Sequence, residues 1–308
     1  MTGRRPRVDV GVVVWNTREL TLSAIGRLQT AAQNVDLRVL VRDNGSTDGS
    51  ADAIRAAFPD VSVTQGDNVG FARGVNSLLA ESDAPWFVTL NSDAWPEAGA
   101  LERLVAAAEG EPRAAVVAPL VLRPDGRLEH STHPLPSVRV AAVTALHLER
   151  ALPRRRAAQW CLHGSWQHDV QRTVGWAVGA ALLFRRTAID AIGGFDESLF
   201  MYAEDLEWCW RAQRAGWEIL FTPSAVVRHV GNASGTHRWG AEREIVAITN
   251  ANAVVRRFLP APAAATWRAF NAIGAARLAA RARIRGDRDL SQFWWRQVPA
   301  HLGRRTAW

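Results

Sequence analysis

The fifteen residues Asp36-Leu37-Arg38-Val39-Leu40-Val41-Arg42-Asp43-Asn44-Gly45-Ser46-Thr47-Asp48-Gly49-Ser50 hold a strand, a polar corner and a helix start in succession. Asp36 to Val41 is apolar enough for a buried strand, and it ends at Asp43. Ser46 to Ser50 supplies the short polar side chains that cap a helix, which runs to Phe58. Outward from this unit the alternation repeats. Val8 to Trp15 is a Val-rich run that reads as a buried parallel strand, and Leu20 to Gln29 carries helical spacing at Leu20, Ala24, Ile25 and Leu28. Downstream, Val61 to Val63 reads as a third strand and Phe71 to Glu81 as a helix. Trp86 to Leu90 reads as a fourth strand ending at Asn91-Ser92-Asp93. Pro96 to Ala108 is expected as a helix with proline near its first turn. Ala115 to Val121 is a further strand, closed by the turn Pro124-Asp125-Gly126. Such β-α-β-α alternation implies an α/β fold with a mainly parallel central sheet and flanking helices, whose ligands sit at the carboxyl ends of the strands.

The pattern breaks between about Gly126 and Arg172, where prolines, histidines and Arg154-Arg155-Arg156 suggest an irregular insertion, expected on the acceptor side of the site. Regularity returns in the apolar run Val174 to Phe184, a helix over Thr187 to Ile192, and a helix over Glu204 to Arg214. Short strands are expected at Trp217 to Phe221 and Ala225 to His229. Ala241 to Phe258 reads as a helix, and after Pro260 and Pro262 a long Ala/Arg helix continues to about Ile284. The expected division is a sheet domain over residues 1–240 and a basic, Trp-containing helical extension over 241–308.

With 308 residues and 48% apolar content, the chain has ample material for a core and is not a disordered polymer. No apolar run reaches the roughly 18 residues of a spanning helix, and Met1 to Arg7 leads into a first strand rather than resembling a secretory signal. Cys161 and Cys209 cannot build a disulfide framework or a zinc site, so the expected setting is the cytoplasm. The charge is uneven. Net charge is +7 and every basic residue is Arg; from Ala251 onward eleven Arg face only Asp287 and Asp289, a local +9 that leaves the first 250 residues at −2.

Three strand ends carry polar residues in a row: Asp43-Asn44-Gly45-Ser46, Asp67-Asn68-Val69-Gly70 and Asn91-Ser92-Asp93. One such end is an ordinary turn, but three along a parallel sheet build a crevice. A nucleotide-sugar would use its parts well. Asp43 can accept from N3–H of a uracil or thymine, and Gly45 and Gly70 allow close backbone approach to ribose or diphosphate. Asp93 is an oxygen ligand suited to Mg2+ or Mn2+. Asn16, Asn44, Asn68, Arg73, Asn91 and Ser92 complete the expected donor set. No G-x-x-x-x-G-K-[ST] loop occurs, and no G-x-G-x-x-G follows the first strand, which argues against P-loop and dinucleotide readings. The densest signal is Gly193-Gly194-Phe195-Asp196-Glu197-Ser198-Leu199-Phe200-Met201-Tyr202-Ala203-Glu204-Asp205-Leu206-Glu207. Acids at a helix start are favoured by its dipole. The functional reading makes Asp205 the base that takes a proton from an acceptor hydroxyl, with Glu204 positioning the site or pairing with an Arg.

These motifs, in this order and followed by His229, resemble the GT-A family 2 glycosyltransferases over roughly Val8 to Gly235. Thr173 to Ala180, followed by Phe184-Arg185-Arg186, is similar to the bacterial rhamnosyltransferase branch, whose members move L-rhamnose from dTDP-L-rhamnose onto a cell-envelope acceptor, often a polyprenyl-diphosphate-linked sugar. The resemblance implies a GT-A, Rossmann-like fold and an inverting reaction using a dTDP- or UDP-sugar. It implies that Asp43 reads the base, that Asp93 binds metal at the family's D-x-D position, and that Asp205 is the base. It also implies that His229 completes the metal site or touches the diphosphate. Two departures stand out: Asn91 where a first metal acid is common, and Glu207-Trp208 where relatives often carry Asp-Leu.

Trp176 and Trp210 flank the expected crevice and are candidates for acceptor stacking, with Gly179 beside them. The scattered histidines His130, His133, His147, His163 and His168 fit no zinc spacing, and Cys209 reads as packed. Helical spacing at Phe270, Ile273, Arg277, Leu278, Arg281 and Ile284, with Trp267, Trp294, Trp295 and Trp308, suits an anionic membrane surface, which would make the protein peripheral on the inner face. The alternative is a solvated extension packing on the body or on a second copy in a homodimer. No nucleic-acid motif accompanies the charge. Two rival functions remain: a nucleotidyltransferase, which would want a basic Gly-rich loop in place of Trp15-Asn16-Thr17-Arg18-Glu19, and a non-catalytic sugar-nucleotide-binding partner subunit, which Asn91 admits and Glu204-Asp205 opposes.

Overall fold

The computed structural model describes residues 5–148, 168–231 and 242–303. Arg154-Arg155-Arg156, Cys161, His163, Trp166 and Trp308 lie outside the described residues. The chain forms two compact units, one of residues 1–132 with 168–240 and one of residues 133–167 with 241–308.

In chain order the elements are β1 (Arg7–Val14), α1 (Arg18–Ala31), β2 (Asp36–Asp43), α2 (Ser50–Ala57), β3 (Ser62–Gln65), α3 (Phe71–Glu81), β4 (Trp86–Asn91), β5 (Ala94–Pro96), α4 (Ala100–Gly110) and β6 (Ala114–Leu122). Then come β7 (Thr132–His133), α5 (Val138–Leu146), β8 (Arg172–Val174), β9 (Trp176–Ala177), β10 (Ala181–Arg185), α6 (Arg186–Ile192), α7 (Glu204–Arg214) and β11 (Glu218–His229). The last three are α8 (Arg243–Phe258), α9 (Ala261–Ile284) and α10 (Arg288–His301).

The first unit is built on a nine-stranded sheet with path β3-β2-β1-β4-β10-β6-β11-β5, and β8 joins on β11. β1 to β4 are parallel, β10 runs antiparallel between β4 and β6, and β11 is parallel to β6. The expectation of a mainly parallel sheet holds, and the apolar run of β1 explains why. Val8, Val10, Val12 and Val14 are all buried and share a core with Ile25 and Leu28 of α1 and Leu101 and Leu104 of α4. The alternate face is closed too, by Phe87 and Leu78 against Gly11 and by Val13 against Gly74. A strand covered on both faces has no need of alternation.

Several expectations change. Pro96 does not start a helix; Ala94 to Pro96 forms β5 and pairs antiparallel with β11, and α4 begins only at Ala100. That pairing joins residues more than 120 positions apart, beyond the reach of local periodicity. The two short strands expected around residue 223 are one strand of 12 residues. Its ladder to β6 slips between Thr222 and Val226, beside Pro223 and opposite Pro119, two residues that cannot donate to a ladder. The irregular insertion contains the nine-residue helix α5, capped by the Ser137 hydroxyl. The run Val174 to Phe184 is divided among β8, β9 and β10.

In the second unit, α9 packs on α5 and α10, and α8 packs on α10. The buried face of α9 is Ala264, Ala272, Ala275, Ala279 and Ala282. Small residues let backbones approach: a Cβ on Gly274 would lie 3.3 Å from Ala145 Cα. α10, which the sequence reading did not separate, follows a turn at Arg285-Gly286 and is capped by Asp287 accepting from Leu290 N–H. Among the described residues no helix is long and apolar enough to cross a membrane.

Candidate active site

The strand ends of the first unit are stitched to one another by short polar contacts. Asn16, at positive φ after β1, donates its N–H to Ser46 Oγ and accepts from Thr47 N–H at 2.8 Å. Ser46 N–H in turn donates to Asp43 Oδ1 at 2.7 Å. Asp43 is fully buried, and its Oδ2 has no hydrogen-bond partner. A buried acceptor with a spare oxygen is costly unless a ligand donor meets it. Thr17 Oγ1 donates to Ser92 Oγ at 3.0 Å, tying the end of β1 to the end of β4.

Other residues of the expected donor set make ties within the protein. Asn44 Nδ2 donates to Gly70 O, Asn68 Oδ1 accepts from Gly70 N–H, and Arg73 pairs with Glu197 at 3.0 Å. The glycines are also closely approached by backbone. A Cβ on Gly45 would meet Gly66 O at 3.3 Å, and one on Gly70 would sit 2.4 Å from Phe200 O. Phe71 N–H donates to that same Phe200 carbonyl. Asn76, which the sequence reading passed over, locks the neighbouring loop. Its Oδ1 accepts from Phe195 N–H, and its Nδ2 donates to Phe195 O and Glu197 Oε1.

That loop ends in Tyr202 (φ 70°) and Ala203 (φ 69°), two successive left-handed residues immediately before α7. Each such non-glycine residue stores on the order of 1–3 kcal/mol. The acid pair comes directly after this strained turn. Asp205 Oδ2 accepts from Gly179 N–H at 2.9 Å, and its Oδ1 accepts from Leu206 N–H at 2.7 Å. Burial pushes the Asp205 carboxyl above its ordinary value, against the pull of those N–H groups. Glu204 rises further, through burial and then the adjacent Asp205 charge. Glu204 Oε2 has no hydrogen-bond partner, and the arginine pair on this helix is made by Glu207. Glu207 holds Arg211 through both oxygens at 2.8 and 3.0 Å, and Arg211 donates to Ile192 O and Gly194 O. Gly179 thus enters the site through its N–H, as the group that orients Asp205.

Asp93 and His229 meet because β5 pairs with the end of β11, which sets Ala94 opposite His229. His229 Nε2 lies 3.2 Å from Asp93 Oδ1, and Asp93 Oδ2 accepts from Gly231 N–H. The other ring nitrogen, Nδ1, is 3.0 Å from Glu129, a residue the sequence reading left in the irregular stretch. Burial alone would lower the His229 pKa, but the hydrogen bonds and charges of Asp93 and Glu129 outweigh it and raise it to about 9. Asn91 completes the link: its Nδ2 is 3.3 Å from His229 Nε2, and its N–H donates to Ala180 O, one residue beyond Gly179. The end of β4 thus lies against His229 through the Asn91 side chain and against the backbone beside Gly179 through the Asn91 N–H.

Trp176 is partly exposed and Trp210 is 6% exposed. Trp208 is core: its Nε1 donates to Gly193 O and its ring meets Phe184 edge-on at 5.0 Å. The Glu207-Trp208 departure is therefore internal packing. Burial pushes the Cys209 thiol up to about 12. Among the described residues no group of three or more His, Cys, Asp or Glu is arranged to hold a metal ion.

Comparison with known proteins bears on the family and the fold. The chain is 35% identical over 205 residues to N-acetylglucosaminyl-diphospho-decaprenol L-rhamnosyltransferase of Mycobacterium tuberculosis (strain CDC 1551 / Oshkosh), covering 62% of this chain. It spans 66% of that relative, just under two thirds of its length. It is 32% identical over 209 residues to pre-mycofactocin glycosyltransferase of the same organism, covering 67% of this chain and 40% of that one. A mannosyltransferase from Pyrobaculum calidifontis, solved in complex with GDP-Man and Mn2+, shares the fold at TM-score 0.60 and 21% identity, over 97% of this chain and 85% of that one. The sheet with its flanking helices is the GT-A arrangement, followed here by a helical extension. The model of Glycosyl transferase family 2 matches residues 9–191, well over half of the sequence, and to that family the chain belongs.

Proposed function

We propose that the protein is an inverting glycosyltransferase. It moves a sugar, with L-rhamnose the best candidate, from a dTDP- or UDP-linked donor to a hydroxyl of a lipid-linked or cell-envelope glycan. The observation that carries the reading is the buried Glu204-Asp205 pair, with the Asp205 carboxylate oriented by Gly179 N–H and Leu206 N–H.

Asp205 takes the proton of the acceptor hydroxyl while that oxygen bonds to the anomeric carbon and the nucleoside diphosphate leaves with the electrons of the broken C–O bond. A single displacement inverts the anomeric configuration. General-base assistance of this kind is worth about 10²–10⁴-fold. The raised pKa of Asp205 makes it a stronger base than an exposed aspartate, at the cost of needing a higher pH to be ionised. The spare oxygen of Asp43 fits the N3–H of a pyrimidine base.

A divalent cation, Mg2+ or Mn2+, suits Asp93 and His229. Glu129 on Nδ1 is the carboxylate that fixes a histidine tautomer with Nε2 turned to a metal. One carboxylate and one imidazole make a partial shell, which a diphosphate and waters can complete. Bound there, the cation would offset charge on the leaving diphosphate.

The first test is thermal stabilisation by dTDP, UDP, GDP and ADP, each with Mg2+, Mn2+ or EDTA. A ligand at 100 times its Kd adds roughly 2.7 kcal/mol. A metal-dependent shift with dTDP, followed by rhamnosyl transfer from dTDP-L-rhamnose, is the expected result. A larger shift with UDP would move the donor to a UDP-sugar, and no shift with any nucleotide would overturn the reading.

A further inference from the structure

Exposed apolar side chains of the helical unit occur at Ile273 and Ile284 on α9, at Leu290, Phe293 and Trp295 on α10 and at Leu302 beyond it. The turn from α9 into α10 holds the most exposed of them among arginines. Ile284 is 86% exposed, the extreme among the exposed large hydrophobics, and Leu290 (43%) and Phe293 (39%) follow on the first turns of α10. Arg281, Arg283, Arg285 and Arg288 are all exposed around them. Asp287 and Asp289 are the opposing acids, and Asp287 is engaged as the α10 cap, accepting from Leu290 N–H at 3.0 Å. The turn is preformed: Arg285 N–H donates to Arg281 O, Gly286 N–H to Arg283 O and Asp287 N–H to Ala282 O. Gly286 takes φ +81°, and a Cβ there would meet nothing within 4 Å.

An aliphatic side chain held in water on a rigid corner, ringed by guanidinium groups, suits one chemistry. The apolar tip leaves water for an acyl layer while the arginines reach phosphates at its surface. An amphipathic face along α9 is not what does this, because its buried stripe is alanine packed within the unit. We propose that the α9–α10 corner, Arg281 to Phe293, is a docking edge for an anionic lipid bilayer, with Ile284 and Leu290 entering the acyl boundary.

The test is co-sedimentation of the full chain with phosphatidylcholine vesicles, with and without about 30% phosphatidylglycerol. Binding is expected only to the anionic vesicles and to weaken with salt. Ile284→Ser with Leu290→Ser should weaken it about tenfold or more at unchanged charge. Arg283→Gln with Arg285→Gln should weaken it by a similar factor, at about fivefold per arginine. The charge-matched control, Arg38→Gln with Arg55→Gln in the sheet unit, should leave it within about twofold. Nucleotide stabilisation, measured on the same variants, should be unchanged, so failure here is distinct from failure of the proposed transfer reaction. Equal binding to neutral vesicles, or equal loss in the control, would overturn the proposal. So would a chain that sediments as a dimer and becomes monomeric on Ile284→Ser without a change in vesicle binding.

Discussion

Replacing Gly70 by alanine tests the junction between the loop that follows β3 and the loop that precedes α7. Gly70 has φ 88° and ψ 175°, a region essentially restricted to glycine, and its Cβ would lie 2.4 Å from Phe200 O, 2.9 Å from Phe200 Cδ2 and 3.0 Å from Phe200 C. Gly193 is its natural control: φ 87° and ψ 177°, with nothing within 4 Å of a Cβ. Both alanines incur the backbone strain of about 1–3 kcal/mol. Only Gly70→Ala must also displace a carbonyl, losing the Phe71 N–H to Phe200 O bond, worth about 1 kcal/mol, and overpacking the junction at about 1–3 kcal/mol. The expected difference between the two variants is therefore about 2–4 kcal/mol, or roughly 5–15 °C in melting temperature for a unit of this size. Transfer activity of Gly70→Ala should fall further than its folded fraction at the assay temperature, because the displaced segment leads through Tyr202 and Ala203 to Glu204-Asp205. Thermal denaturation and initial rates at a temperature where both variants are folded check this. Equal melting temperatures for the two alanines would refute the argument that Phe200 is what demands glycine at position 70.

Asp205→Asn should retain nucleotide stabilisation while turnover drops by about 10²–10⁴-fold, and normal turnover would remove Asp205 from the chemistry. The rate of the parent should fall toward acid with an apparent pKa above that of an ordinary aspartate, since burial raises the Asp205 value. A profile still flat at the ordinary aspartate range would contradict it. Glu204 gives a stability prediction. Its folded pKa is raised, so the stabilisation from its proton is complete below the ordinary glutamate value and is lost as pH rises through the folded value. Glu204→Gln should therefore flatten the decline in melting temperature between acid and alkaline buffer, and an unchanged slope would show that Glu204 is not the group responsible. Trp176→Ala is expected to raise the KM for acceptor with little loss of stability, whereas Trp210→Phe should lower stability and spare that KM; the reverse pattern would return Trp210 to the acceptor site.

The elements that local periodicity governs were legible in the sequence. Phe71–Glu81 and Glu204–Arg214 form helices with the expected bounds, because each carries its apolar spacing and its stop within its own residues. The strand ends at Asp43, Asn91 and Asp93 were legible because polar residues after buried runs have few other uses. What escaped was set by distant pairing. β5 exists because β11 lies beside it, and β11 stays one strand across Pro223 because β6 absorbs the register slip. Glu129 could not be found from its neighbours; its role comes from His229, a hundred positions away. Trp210 is a candidate platform because it flanks the expected crevice, and its low exposure is something that only packing against distant residues decides. The approach of Phe200 to Gly70, 130 positions away in the chain, was likewise not legible.

The antiparallel strand between β4 and β6 has a consequence for the order in which the chain can be made. β4 ends at Asn91 and its neighbour on that side begins only at Ala181, about ninety residues later. During synthesis at roughly 5–20 residues per second, the inner edge of the nascent β1-β2-β3-β4 half stays open for roughly 5–20 s. Its Val88 and Leu90 stand beside unpaired backbone groups for that interval, an edge of the kind that captures foreign strands. The helix-bearing segment that includes Val138 to Leu146 is translated within the same interval, before the strand that seals the sheet. A ribosome stalled anywhere between β6 and β10 would hold a chain with β1 to β6 in hand and the centre of the sheet missing. Nascent-chain aggregation should therefore peak for stalls in that window and fall once Arg185 has left the exit tunnel.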